Sequence, residues 1–266
     1  MNVEAEQLVR LAFWAGQHAL AFFFVLMVLA WAATLAGWCW LRRAAPAHLT
    51  QAVMGGRVAL GLFISLAGAA AFAALAAQLG GGPSLSRADQ ALTDALRTNV
   101  VPLTEQLFAA LTRLADPATL MLLGLGMALA LVVWGQRALA LGGVLALAGN
   151  GLLNQTLKQV FGRIRPLELH PLVSAAGLSF PSGHSSGAVV AYGMLAYLAI
   201  KLLPARWQLP ALLAAVSLVV TVGASRIFLR VHFASDVLAG FASGTAWLAL
   251  CITGMELVLW RRAGRS

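Results

Sequence analysis

Apolar residues gather in seven runs along the chain: Leu11 to Leu41, Val58 to Leu79, Ala118 to Trp134, Ala138 to Leu157, Gly183 to Leu203, Leu209 to Ala224 and roughly Ser235 to Trp260. About 20 apolar residues in a helix cross the hydrocarbon core of a bilayer. The pattern therefore predicts an all-α membrane bundle of about seven spans. The first run is too short for two crossings with a turn between them, so it predicts one long or tilted helix.

The segment between the second and third runs has a different period. Gly80-Gly81-Gly82-Pro83 breaks the helix, after which Leu85, Leu92, Leu96, Val100, Leu103, Leu107, Leu111 and Leu114 recur at helical spacing. Arg87, Asp89, Asp94, Arg97 and Glu105 fill the gaps. This predicts an outward-facing amphipathic segment over about 83–116, interrupted near Pro102 and lying on the membrane surface. Such a face exists to be buried, which favours a connector over a lid.

Composition agrees with the pattern: of 266 residues, 61% are hydrophobic and 10% charged. A formal charge of +9 would suggest nucleic acid in a soluble domain. Here the basic residues flank apolar runs, so the expected partner is the lipid bilayer and no nucleic acid. If the chain alternates sides, Arg42, Arg43, Arg57, Arg137, Lys201, Arg206, Arg261, Arg262 and Arg265 share one side. Every acidic residue except Glu256 falls on or near the other. The positive-inside rule makes the first side cytoplasmic, with the amino terminus outside and the carboxyl terminus inside. The opening MNVEAEQLVR lacks the basic stretch of a cleaved signal peptide, so the first run is expected to be retained. Cys39 and Cys251 lie in apolar runs without partner spacing and read as small buried side chains. No repeat, low-complexity tract or second domain shows. Gly240 and Gly244 form a small-xxx-small pair too weak, among 26 glycines, to support an oligomer.

Three polar clusters interrupt the apolar runs: KQVFGRIRP (Lys158 to Pro166), PSGH (Pro181 to His184) and SRIFLRVHFASD (Ser225 to Asp236). The first follows the fourth span and the second opens the fifth. The fifth and sixth spans go across and back before the third, so all three reach one membrane face. Lys158 and Arg165 are seven apart, and a continuing helix would present both on one side. They snorkel or hold an anion; their position on the face the charge rule disfavours points to the anion. Arg163 points elsewhere and reads as a headgroup or structural contact. Ser182 is a good N-cap, Gly183 admits a ligand to the backbone, and the free amides of the following helix suit an anion as well as an ordinary capped start. His232 and Asp236, four apart, suit an activated histidine oriented by a carboxylate, or a satisfied structural pair. Arg226 offers a guanidinium for two phosphate oxygens.

A serine hydrolase triad is disfavoured, because Ser182 is in no Gly-x-Ser-x-Gly elbow. A metal site of His184, His232 and Asp236 is disfavoured by the cations Lys158, Arg165 and Arg226 around it. A transporter is disfavoured because the charges gather at one rim instead of mid-membrane.

Lys-x6-Arg-Pro, then Pro-Ser-Gly-His, then Ser-Arg-x5-His-x3-Asp together resemble the three-part signature of the type 2 phosphatidic acid phosphatase superfamily, the lipid phosphate phosphatases. No signature position departs from it. The resemblance implies a six-helix phosphatase core over about 57–266, with residues 1–56 as an extra amino-terminal span and cytoplasmic loop. It also implies a bacterial plasma-membrane enzyme with its site facing outward. His232 would attack phosphorus, Asp236 would fix its tautomer, and His184 would protonate the leaving oxygen and then activate water. Lys158, Arg165, Ser182, Gly183 and Arg226 would hold the phosphate, with no cofactor and no metal. The implied substrate is a membrane lipid phosphate, with undecaprenyl diphosphate leading and phosphatidylglycerophosphate, phosphatidic acid and lipid A phosphates as alternatives. A phosphotransferase using the same phosphohistidine stays open. A bell-shaped pH profile is implied, since His232 must be neutral and His184 protonated.

Overall fold

The computed structural model describes residues 3–43, 51–80, 83–166, 172–173 and 177–263. These residues form ten α-helices, in order α1 (Val3–Gln17), α2 (Ala19–Arg43), α3 (Gln51–Gly80), α4 (Pro83–Asn99), α5 (Pro102–Thr112), α6 (Pro117–Val133), α7 (Arg137–Phe161), α8 (Gly183–Leu202), α9 (Ala205–Phe228) and α10 (Ala234–Ala263). A 3-10 turn, Arg113–Ala115, joins α5 to α6, and no strand occurs among the described residues. Among the described residues six helices, α2, α3, α7, α8, α9 and α10, are long and apolar enough to cross a membrane. A seventh crossing is available if α5 with its turn and α6, bent by 43°, act as one span.

The first apolar run is not one helix. It breaks at His18, where α1 gives way to α2, and the ring Nδ1 of His18 pairs with the Trp14 carbonyl. The reason lies in what each half packs on. α1 lies along the amphipathic α4, approaching so closely that a side chain at Gly16 would meet Ala95 and the Leu92 carbonyl. α2 turns away along α9, to which Trp31 donates a hydrogen bond at Ser217. The break before Pro102 falls where the sequence predicts it, since proline lacks the amide to continue α4 but suits the first turn of α5.

α8 is the central helix. Two thirds (67%) of its span is enclosed by protein, against 6% for α2 and α3, whose apolar faces are left for lipid. Met127, Leu131, Leu139, Val190, Met194, Leu198 and Met255 knit α6, α7, α8 and α10 together. Gly240 and Gly244 turn out to serve this packing inside the chain: a Cβ on either would strike the α8 backbone, 2.6 Å from the Ser182 carbonyl and 2.9 Å from that of Ser186. Glycine thus brings the start of α10 against the start of α8. Near the opposite end of these helices Glu256, the one acidic residue on the basic side, takes Lys201, Arg57 at 3.7 Å and the Tyr197 hydroxyl as partners. Arg265 of the basic set lies outside the described residues.

Candidate active site

The three polar clusters meet at one end of the bundle. α7 stops at Phe161 because Gly162 adopts a left-handed φ of +57°, so Lys158 is on the helix and Arg165 on the loop beyond it. The expected common helix face for these two cations does not exist, yet both line the same cavity. Lys158 Nζ donates to the Leu178 carbonyl; Arg165 donates from Nε to Gly177 O at 3.1 Å and from Nη1 to Val231 O at 2.7 Å. Burial lowers the Arg165 guanidinium from its usual range, opposed by Asp236.

Ser182 caps α8, its Oγ accepting from the Ser185 amide, and its own amide donates to the Asp236 carbonyl at 2.9 Å. It is buried behind the wall of the cavity, whereas Gly183 and His184 line it. Ser182 therefore holds the turn, and Gly183 presents its backbone at the cavity wall.

His232 precedes α10 instead of sharing a helix with Asp236, since α10 begins at Ala234. The pair still forms, because Asp236 stands in the first turn and its Oδ2 lies 3.4 Å from His232 Nδ1. Arg165 Nη1 sits 2.8 Å from the other ring nitrogen, Nε2. A guanidinium only donates, so Nε2 carries the lone pair and Nδ1 the proton directed at Asp236. That is the tautomer in which Nε2 can attack. Burial, ahead of the opposing bond to Asp236, holds the imidazole down at about 3, so it is neutral.

Asp236 is fully buried, and no local spacing marks its neighbours. Ser179 donates to its Oδ2, and Arg163 Nη1 donates to its Oδ1 at 2.7 Å. The other end of Arg163, Nη2, reaches Asp89 Oδ2 on α4 at 2.8 Å, while its Nη1 also reaches Ser235 Oγ at 2.7 Å. Ser235 closes the ring, donating to Asp89 from both amide and hydroxyl. Burial pushes the Asp89 carboxyl up, against the pull of Ser235 and Arg163. Of the two readings of Arg163, the geometry selects the structural one. Asp89 is only a charge on an amphipathic helix in the sequence; nothing local marks it as facing inward.

The amphipathic segment supplies three more contacts. Glu105 accepts from Arg230 at 2.6 Å, the Thr112 hydroxyl accepts from Arg226 Nη1 at 2.9 Å, and Asp116 Oδ1 lies 2.9 Å from His184 Nε2. Arg226 is buried, and its Nε has no partner among the described residues. Arg230 Nε shares that state, and a buried donor without an acceptor costs about 1–3 kcal/mol.

The cavity has a volume of about 780 Å³. One end carries Lys158, Arg165, His184, Arg226 and His232; from there it runs between α6 and α7 over Leu120, Met121, Leu125, Ala128, Val144 and Leu147.

A polytopic helical membrane protein with histidines and cations at one end of a long apolar cleft is the class that fold and site define. Comparison with known proteins specifies it. The description of the PAP2 superfamily matches residues 137–259, which hold all three clusters. Phosphatidylglycerophosphatase B of Bacillus subtilis is 32% identical over 167 residues, 60% of this chain and 80% of that protein. Lipid A 1-phosphatases of Rhizobium etli and Rhizobium johnstonii are 32% and 36% identical over 124 residues, 43% of this chain and 47% and 45% of theirs. The crystal structure of the transmembrane PAP2-type phosphatidylglycerolphosphate phosphatase from Bacillus subtilis matches with a TM-score of 0.66 at 29% identity, covering 74% of this chain and 98% of that one. The chain belongs to the PAP2 superfamily and is a membrane lipid phosphatase.

The bridge through Arg163 gives a direct prediction. Arg163→Lys keeps the charge but loses the fork that spans two carboxylates. Breaking a buried pair costs about 3–5 kcal/mol, so the variant should melt several degrees lower in detergent and lose phosphatase activity about 10-fold or more. Thermal unfolding and activity assays on the purified variant check this; wild-type values in both would show the bridge to be dispensable.

Proposed function

We propose that this enzyme hydrolyses the phosphate of a membrane lipid through a phosphohistidine on His232. The observation that carries this reading is the shape of the cavity: a cation-lined end with two histidines, continuous with an apolar cleft between α6 and α7. A lipid could place its headgroup at the first and keep its tail in the second without leaving the bilayer.

In the first step Nε2 of His232 attacks phosphorus as the bond to the leaving oxygen breaks, and His184 gives that oxygen a proton. In the second, His184 takes a proton from water, whose oxygen displaces His232 and releases inorganic phosphate. Arg165, now against Nε2, would shift its donation to a phosphate oxygen. Lys158, Arg226 and the amide at Gly183 would hold the others, the stabilisation of an expanding negative charge by preplaced donors. Asp236 keeps the His232 proton on Nδ1.

The substrate we favour is a glycerolipid phosphate of the phosphatidylglycerophosphate type, because the relative covered over 80% of its length is named for it. Undecaprenyl diphosphate, the expectation from sequence, stands second. We assign the core to residues 57–266 with the preceding span as an addition, and the site to the outer face, supported by the basic residues concentrated at the other rim.

Two outcomes test this. Purified protein in excess chelator should release phosphate from phosphatidylglycerophosphate faster than from undecaprenyl diphosphate or phosphatidic acid, and His232→Ala should lower release by at least about 10³-fold. No release from any lipid would refute it, and slow release with fast transfer to an alcohol would favour the phosphotransferase. The pH profile follows from His232 titrating at about 3. Protonation disables the free enzyme's nucleophile only below that value, so the acidic limb of the expected bell-shaped kcat/KM profile should fall below roughly pH 5. An acidic kcat/KM limb near 6.5, the ordinary histidine value, would contradict the buried neutral state.

A further inference from the structure

Asp116 stands at the N-cap of α6, followed by proline at the first helical position, an ordinary helix start in the sequence. An aspartate there normally accepts a hydrogen bond from an amide of the first turn. Asp116 makes no such bond. Its Oδ1 instead faces His184 Nε2 at 2.9 Å, 68 residues further along the chain. The preferred local interaction has been given up for a distant one, and a role in helix capping does not explain that.

The turn carrying Asp116 is fixed from two sides. The Tyr192 hydroxyl of α8 donates to the Leu114 carbonyl at 2.7 Å, and Arg226 of α9 donates to the Thr112 hydroxyl. The carboxylate is consequently aimed, at the break between α5 and α6, into the cavity where both it and His184 lie. Among the described residues it is the one carboxylate lining that cavity. The other titratable or charged groups around His184 are Lys158 of α7, Arg165 of the following loop, Arg226 of α9 and His232 before α10, all cationic or neutral. Asp236 lies buried behind His232.

We propose that Asp116 is the positioning residue of His184, giving the site two histidine–carboxylate pairs with separate tasks. Asp236 serves the nucleophile; Asp116 turns the His184 ring into the cavity and stabilises its imidazolium form against Arg165 and Arg226. This rests on the acid–base role of His184 given above. In the first step the proton passes from His184 to the leaving oxygen as the bond from phosphorus to that oxygen breaks. In the second it returns from water, and Asp116 stays ionised throughout. Asp116 is 44% exposed, so it keeps contact with solvent while it pairs with His184 Nε2.

Asparagine caps a helix as well as aspartate and fills the same volume, so Asp116→Asn separates the charge from the fold. The variant should melt as wild type does and bind lipid with an unchanged KM. Its kcat should fall about 10-fold at pH 6 and further at pH 8, as expected for weakened general-acid catalysis. Asp116→Glu should recover part of the loss. An enzyme active on lipid phosphate whose Asp116→Asn variant keeps wild-type kcat and pH profile would overturn the assignment. A readout independent of turnover is the 15N spectrum of histidine-labelled protein. The His184 ring nitrogens should shift in Asp116→Ala, and unchanged shifts would overturn the pairing. If wild type released no phosphate while those resonances still shifted, the pairing would stand and the catalytic reading would fall.

Discussion

Arg163 is the interaction on which the rest depends. Its guanidinium is shared between Asp89 and Asp236, with both carboxylates and the cation withdrawn from water and the Phe233 ring 4.4 Å from its centre. Three ions removed from solvent together are tolerable only if every one keeps its partners. That requirement ties α4, the loop after α7 and the start of α10 into one arrangement, because each supplies one member. Asp236, so held, has one oxygen committed to Arg163 and the other left to Ser179 and His232. The orientation of His232 thus depends on a helix far away in sequence.

The same constraint gives the amphipathic segment its purpose. It is more than a connector, since Asp89, Glu105, Thr112 and Asp116 each meet a residue of the polar clusters or their loops. Its apolar side is used as well: Leu96, Phe108 and Ala109 pack with Phe228, Leu229 and Val231, and Phe108 stacks on Phe228 at 4.4 Å. Phe23 of α2 adds its edge to both rings. The amino-terminal helices therefore bear on the site indirectly, α1 through α4 and α2 through this aromatic group.

Much of this was legible in the sequence because it follows from local rules. Apolar runs of sufficient length gave the spans from α7 onward, Pro102 gave the break in the amphipathic segment, and the spacing of the clusters brought Lys158, Arg165, His184, Arg226 and His232 to one cavity. Where the reading failed, tertiary contact overrode period. The first run carries only the brief interruption Gly16-Gln17-His18, too short to read as a turn, and the different partners of α1 and α2 show why it breaks there. A continuing helix from Lys158 to Arg165 is ruled out by Gly162, whose left-handed φ ends α7. Ser179, Asp89 and Asp116 were missed because each acts on a group at least 57 positions away, a distance that no helical spacing reports.

The most direct test of the central claim is covalent. With lipid carrying 32P in its headgroup, rapid quenching of the wild-type enzyme during turnover should trap label on the protein. The bond should be stable in alkali and labile in acid, as a phosphoramidate is, and peptide mapping should place it on His232. Label that appears elsewhere, or turnover of wild type with no trapped label under any quench, would mean that His232 is not the nucleophile.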